Sequence, residues 1–150
     1  MLIVNGTEPV PPAGETFLSD LPWMHAANSK GPVLRDRSPG GPFSVNGYHA
    51  PKGLGTVAPS ILLFHLGGRC TRFQAIAAVD SGGGDKNQAA FEARADGEVL
   101  FRSAMGNYTH VHDMDIDVTG RHVLTLYVDA GMEAAEDDWA DWADARVTCE

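Results

Sequence analysis

The sequence predicts an all-β fold, an antiparallel β-sandwich of the jelly-roll type. Apolar and polar residues alternate with period two across most of the second half, as expected of strands with one buried face. Glycine, proline and aspartate turns interrupt these runs at short intervals. No stretch of ten or more residues holds a helical period, apart from a candidate turn in "MEAAEDDWADWADA". Short strands with such turns pack as two sheets or a barrel, and the end loops then carry function.

Residues 1–14 read as a linker or N-terminal arm, because proline and glycine crowd "NGTEPVPPAGE", and residues 15–150 read as one domain. A second loop-rich region holds "HAANSKGP" and "RDRSPGGP". "SILLFHL" is then a short apolar strand. In "RFQAIAAVD", Phe73, Ala75, Ala77 and Val79 share one face, with Arg72 and Gln74 on the other. "AAFEARADGEVLFRS" reads as a hairpin whose turn, Asp96-Gly97, tolerates the positive φ angles of a two-residue connection. "DMDIDVTGRHVLTLYVDAG" reads the same way, with Met114, Ile116 and Val118 inward, a turn at Thr119-Gly120, and Leu124, Leu126 and Val128 inward again. In the closing run, Ala143, Ala145, Val147 and Cys149 alternate with Asp144, Arg146 and Thr148. The last strand is therefore expected from about 143, entered from a loop or single helical turn over 133–141.

A chain of 150 residues buries roughly two-thirds of its unfolded surface and needs neither metal nor disulfide merely to fold. Its net charge of −9 and scattered lysines and arginines argue against nucleic acid and anionic membranes as partners. No apolar stretch reaches the length of a membrane span, and the N-terminus lacks the basic and apolar regions of a signal peptide. Cys70 and Cys149 are compatible with one bridge or with two buried thiols.

Catalytic patterns are absent. Ser60, His65 and Asp80 occur without a nucleophile elbow, and "SGGGD" lacks the lysine-serine ending of a phosphate loop. His110 and His112 share a strand face but have no further ligand set for zinc. The expectation is a protein that is not an enzyme. Among the aromatics, Phe64, Phe73, Phe91 and Phe101 read as core, and Trp23 and Trp142 as packing. Trp139 and Tyr48 are the candidate aromatic platforms for a ligand, with His49 and Lys52 beside Tyr48 as hydrogen-bonding groups, and His25 as a further polar contact.

"FLSDLPW" at 17–23, "VNGYHAPKGLGTVAPS" at 45–60, "RFQAIAAVD" at 72–80, "ADGEVLFRS" at 95–103, "IDVTGRHVLTLYV" at 116–128 and "DDWADWADARV" at 137–147 occur in that order. Together they resemble the NPCBM domain, also classed as carbohydrate-binding module family fifty-one. The resemblance implies a galactose-binding-like sandwich that recognises galactose-type glycans (galactose or N-acetylgalactosamine) without catalysis. It also implies a covalently linked glycoside hydrolase domain and an extracellular or cell-surface location within a longer secreted chain. It further implies a structural calcium near the first loop and the last strand, for which Asp144, Asp20, Asn28 and Asp141 are the candidate ligands. Two positions depart from the family pattern. Val57 stands where "KGLGxHA" has histidine, and Trp139 stands where histidine often precedes "ADWADA". Val57 keeps a second reading open: a β-sandwich interaction or spacer domain that has lost sugar binding.

Overall fold

The computed structural model describes residues 9–83, 87–130 and 138–150. Its strands are β1 (Gly14–Phe17), β2 (His25–Asn28), β3 (Leu34–Arg35), β4 (Gly53–Ala58), β5 (Ser60–His65), β6 (Cys70–Val79), β7 (Ala90–Ala95), β8 (Glu98–Arg102), β9 (His112–Asp117), β10 (Val123–Asp129) and β11 (Asp138–Cys149). Single 3-10 turns lie at Leu18–Asp20 and Ser81–Gly83, and no α-helix occurs among the described residues. The first sheet has the order β3-β4-β11-β6-β9, with β1 also on β11; the second is β2-β5-β10-β7-β8. Every strand pairing is antiparallel. The all-β sandwich read from the sequence is the fold observed.

The alternation in the sequence explains the core. Phe73, Ala75, Ala77 and Val79 of β6 face Leu124, Leu126 and Val128 of β10 and Phe91 and Ala93 of β7 in one continuous apolar cluster. Burying such side chains stabilises by roughly 25 cal/mol per Å² of apolar surface removed from water. Trp142 is wholly buried there and meets Phe91 edge to face, ring centres 5.3 Å apart. Trp23 packs at the margin of the core, with the Arg35 guanidinium 3.9 Å over its ring.

The Asp96-Gly97 hairpin forms as read, with φ of 51° and 84° at the two turn residues. The expected second hairpin does not. β9 pairs with β6 in the first sheet, whereas β10 lies between β5 and β7 in the second. Thr119-Gly120 is thus a corner between sheets. Period two fixes which face of a strand is buried but not which strand it pairs with.

The last strand also corrects the sequence reading. It begins at Asp138, so Trp139 and Asp141 lie within a strand instead of in a loop or helical turn; residues 133–137 of that reading lie outside the described residues. Alternation fails over 138–143 because both faces of β11 are covered there. Ala140 and Trp142 face the core, and Ala143 packs outward against Phe43, Val45, Ala50 and Ala78. The covering segment is the loop of residues 36–52. The stretch "HAANSKGP", read as loop-rich, likewise contains β2. In the expected arm, the strand β1 starts at Gly14, and the Pro9 carbonyl lies 3.2 Å from Nδ1 of His65.

Cys70 and Cys149 form a disulfide between register partners on β6 and β11, 79 residues apart in sequence. Cross-linking so distant a pair restricts the unfolded chain. The double variant Cys70→Ser/Cys149→Ser is therefore expected to lose about 2–4 kcal/mol of unfolding free energy in urea titration. An unchanged midpoint would show that the bridge does not hold the sheet.

Candidate carbohydrate-binding site

The loop 36–52 lies across the outer face of the first sheet and builds the site. Two tight turns shape it. Ser38 and Gly41 exchange backbone hydrogen bonds of 2.7 and 3.1 Å, and Val45 and Tyr48 do the same at 2.9 and 3.0 Å. The second turn is Asn46-Gly47, where φ values of 47° and 93° suit residues that tolerate the left-handed region. Phe43, Val45 and Ala50 anchor the loop to the sheet. Gly55 cannot be larger, because a Cβ there would lie 2.0 Å from the Arg37 carbonyl oxygen.

The loop encloses a hollow of about 360 Å³ lined by Asp36, Arg37, Gly41, Pro42, His49 and neighbouring backbone. His49 is held by its Nδ1, 2.8 Å from the Phe43 carbonyl oxygen. Tyr48 is 44% exposed, and its hydroxyl donates to Asp144 at 2.6 Å. Asp144 has φ of 51° and sits at the break in register between Ala143 and Arg146, so β11 bulges where it meets the loop.

Lys52 closes the other side. Its ammonium donates to Asp20 at 2.8 Å and to Asp36 at 2.9 Å, and its carbonyl accepts the Asp144 amide. Burial pushes the Asp36 carboxyl up, but the nearby Ser19 hydroxyl, Lys52 and the Gly53 amide outweigh it and hold the group below its ordinary range. Asp36 has φ of 62° and was not marked by the sequence reading; its partner Lys52, 16 residues on, gave no hint of it.

Trp139 occupies a different part of the same face. Its half-buried indole lies against Gly40 and Gly82, and a Cβ on Gly40 would come within 2.7 Å of the ring. The turn of residues 38–41 thus lines the hollow through Gly41 and touches the indole through Gly40. Val57 is the register partner of Trp139 and is itself buried. The two positions that depart from the family pattern are therefore cross-strand neighbours. Asp80, which the sequence reading weighed only for catalysis, ties this corner together. Its carboxylate accepts the Ser44 amide at 3.0 Å and the Gly82 amide at 2.8 Å.

Asp141 is fully buried beside this corner, and no hydrogen-bond donor reaches either of its oxygens. Burial first, and then the neighbouring Asp80 carboxylate, push its pKa well above 3.8. It cannot touch a sugar directly. His25 lies apart as well, exposed on β2 of the second sheet.

The four residues named for calcium are not gathered into one cage. Asp20 is paired with Lys52, and Asp144 receives the Tyr48 hydroxyl. Asn28 donates to the Pro32 carbonyl and accepts the Val57 amide, while Asp141 is buried by Asp80. Among the described residues, no group of three or more His, Cys, Asp or Glu side chains is placed to hold a metal ion. As placed, these four side chains do not by themselves gather the six to eight oxygens that Ca²⁺ takes. The positive charge between the first loop and the last strand is the Lys52 ammonium.

Residues 14–148 match the profile of the NPCBM/NEW2 domain. The chain belongs to that family. The NPCBM chain is also 30% identical over 152 aligned residues to a Renibacterium salmoninarum protein named as an endo-alpha-N-acetylgalactosaminidase. The alignment covers 95% of this chain and 10% of that protein, so the chain spans about a tenth of its relative's length. Among solved structures it resembles CBM51 from Clostridium perfringens GH95 in complex with methyl-galactose, with TM-score 0.82 and 27% identity, covering 89% of this chain and 99% of that one. It also resembles a structure of CBM51-2, in complex with GlcNAc, and INT domains from Clostridium perfringens ZmpB. There the TM-score is 0.81 at 27% identity, and the match covers 89% of this chain and 31% of that one. At these identities the NPCBM chain shares more than strand order with carbohydrate-binding modules.

If Lys52 supplies the cation, EDTA leaves the Tm unchanged, whereas Lys52→Met lowers stability by about 0.5–1 kcal/mol through the loss of two partly exposed ion pairs. A Tm that drops on chelation and recovers with added calcium would overturn this assignment.

The raised pKa of Asp141 makes the native state bind more protons than the unfolded chain, so this group costs stability as pH rises above about 3.8. Asp141→Asn removes that cost and is expected to be the more stable protein at pH 7, by about 1 kcal/mol or more, with the advantage shrinking towards pH 4. Urea unfolding at the two pH values checks it; an asparagine variant weaker at pH 7 would refute the sign.

Proposed function

We propose that this chain is a non-catalytic carbohydrate-binding module that takes galactose-type sugars at the outer face of its first sheet. The observation that carries the reading is the likeness, at 27% identity and over 99% of the other chain, to a module whose structure holds methyl-galactose. The local chemistry supports it. Trp139 offers an apolar ring, Arg37 offers donors, the His49 Nε2 and the Tyr48 hydroxyl oxygen offer acceptors beside a hollow, and the lining leaves room for a neutral polyol. Each hydroxyl contact replaces one with water, so single-site affinity is expected to be modest. The module would act by tethering, raising the local concentration of a joined glycoside hydrolase on its glycan. The glycosidase name of the longer relative and the Cys70–Cys149 bridge support a secreted, oxidising setting.

Val57 favours a second reading, a sandwich without sugar affinity that spaces or docks other domains. Calorimetry with methyl galactoside, N-acetylgalactosamine and N-acetylglucosamine separates the two. The first reading expects saturable binding of a galactose-type sugar, weakened about tenfold or more by Trp139→Ala and by Tyr48→Ala with the Tm preserved. Heat of dilution alone across all three sugars, and silence on a glycan array, would leave the spacer reading standing.

A further inference from the structure

The apolar strand "SILLFHL" has a second face that the site above does not use. Leu62, Phe64 and Leu66 enter the core, while Ile61 and Leu63 lie on the opposite, partly open side of the second sheet. From Ile61 a single row of register partners crosses all five strands: Ala27, Ile61, Tyr127, Glu92 and Arg102. At the spacing of hydrogen-bonded strands this row is about 19 Å long, the reach of an oligosaccharide more than of one sugar.

Two hollows lie along the row. One, of about 390 Å³, is lined by Glu92, Arg94, Arg102, Ser103, Tyr127 and Asp129 among others. The other, of about 230 Å³, is lined by Asn28, Pro59, Ser60 and Ile61, and again by Tyr127. Tyr127 therefore stands between a polar hollow and a more apolar one. Beside it Glu92 is a built feature. Its side chain is only 8% exposed, although it is a carboxylate on an outer face. Arg94 donates to one of its oxygens, and Arg102 reaches the other at 2.7 Å through Nε and 2.6 Å through Nη2. Each guanidinium carries five N–H groups, so donors remain for a ligand after Glu92 is satisfied. The Arg94 and Arg102 side chains are 43% and 65% exposed, which leaves them accessible from the hollow.

We propose that this outer face of the second sheet is a separate binding surface for a neutral oligosaccharide, stacked on Tyr127 and held through its hydroxyls by Arg94, Arg102 and Glu92. The proposal rests on the sugar-binding reading for the class of ligand, but on none of its residues. Fixed donors and an acceptor beside an aromatic face match the apolar ring face and neighbouring hydroxyls of a hexose. The charged groups of the lining cancel, with Glu92 and Asp129 against Arg94 and Arg102, which favours a neutral chain over an acidic one. The net charge of −9 points the same way.

The test is amide chemical-shift mapping of the ¹⁵N-labelled chain with the neutral tetrasaccharide lacto-N-tetraose, its sialylated counterpart and methyl galactoside. The tetrasaccharide is expected to shift amides in residues 60–63, 90–94, 101–103 and 126–129 saturably. Trp139→Ala should leave those shifts intact. Tyr127→Ala and the exposed-site variant Arg102→Ala should weaken them about tenfold or more, while Tyr127→Phe, which keeps the ring, stays within about threefold. No shift on this face at millimolar tetrasaccharide, or shifts that survive both Tyr127→Ala and Arg102→Ala, would overturn the proposal. Tighter binding of the sialylated chain would overturn its neutral assignment. Shifts on this face with none around Trp139 would uphold this surface and sink the galactose site on the first sheet, so the two failures are distinguishable.

Discussion

Burial of β11 on both faces is the constraint on which the rest of the molecule depends. Inward, Ala140, Trp142, Ala145 and Val147 close the core between the sheets. Outward, Ala143 seats the loop 36–52, and Trp139 touches that loop at Gly40. Its edges bond to β4, β6 and β1, so among the described residues no other strand is paired with as many partners. A strand surrounded in this way cannot shift register without unseating the core and the loop together. The bulge at Asp144 is the point where it yields, and the Tyr48 hydroxyl and the Lys52 carbonyl meet it there.

This constraint also explains what could and could not be read beforehand. The strands with one wet face, such as β6, β7 and β10, print their geometry in alternation, and the sequence revealed their inward residues correctly. The first half of β11 has no wet face. Its buried Asp138 and Asp141 imitate the polar side of an amphipathic segment, so residues 138–141 read as a loop or turn although they are strand. The Thr119-Gly120 corner was misread for a related reason. Alternation marks the buried face, while the choice between a hairpin and a crossing to the other sheet depends on long-range packing.

The candidate site was legible in parts. Tyr48, His49 and Lys52 are close in sequence and sit on the one loop that covers the sheet, so the motif located them together. Trp139 and Asp144 reach the same face from the other end of the chain. The neighbours of the side chains named for a cation were invisible in sequence: a lysine, a tyrosine and two backbone groups engage Asp20, Asp144 and Asn28. The structural roles of Asp80 and Asp36 went unread since their work is done on backbone amides and a distant lysine, which leave no spacing to read.

The pairing of β1 with the far half of β11 sets Gly14 beside Cys149. Flanking segments attached at those points would leave from one corner of the sandwich. Trp139 lies at the opposite end of the same strand, roughly 30 Å away by strand rise. The sandwich is thus polarised along β11: the start of β1 and the end of β11 meet at one pole, Trp139 stands at the other, and the bridge between Cys70 and Cys149 reinforces the first.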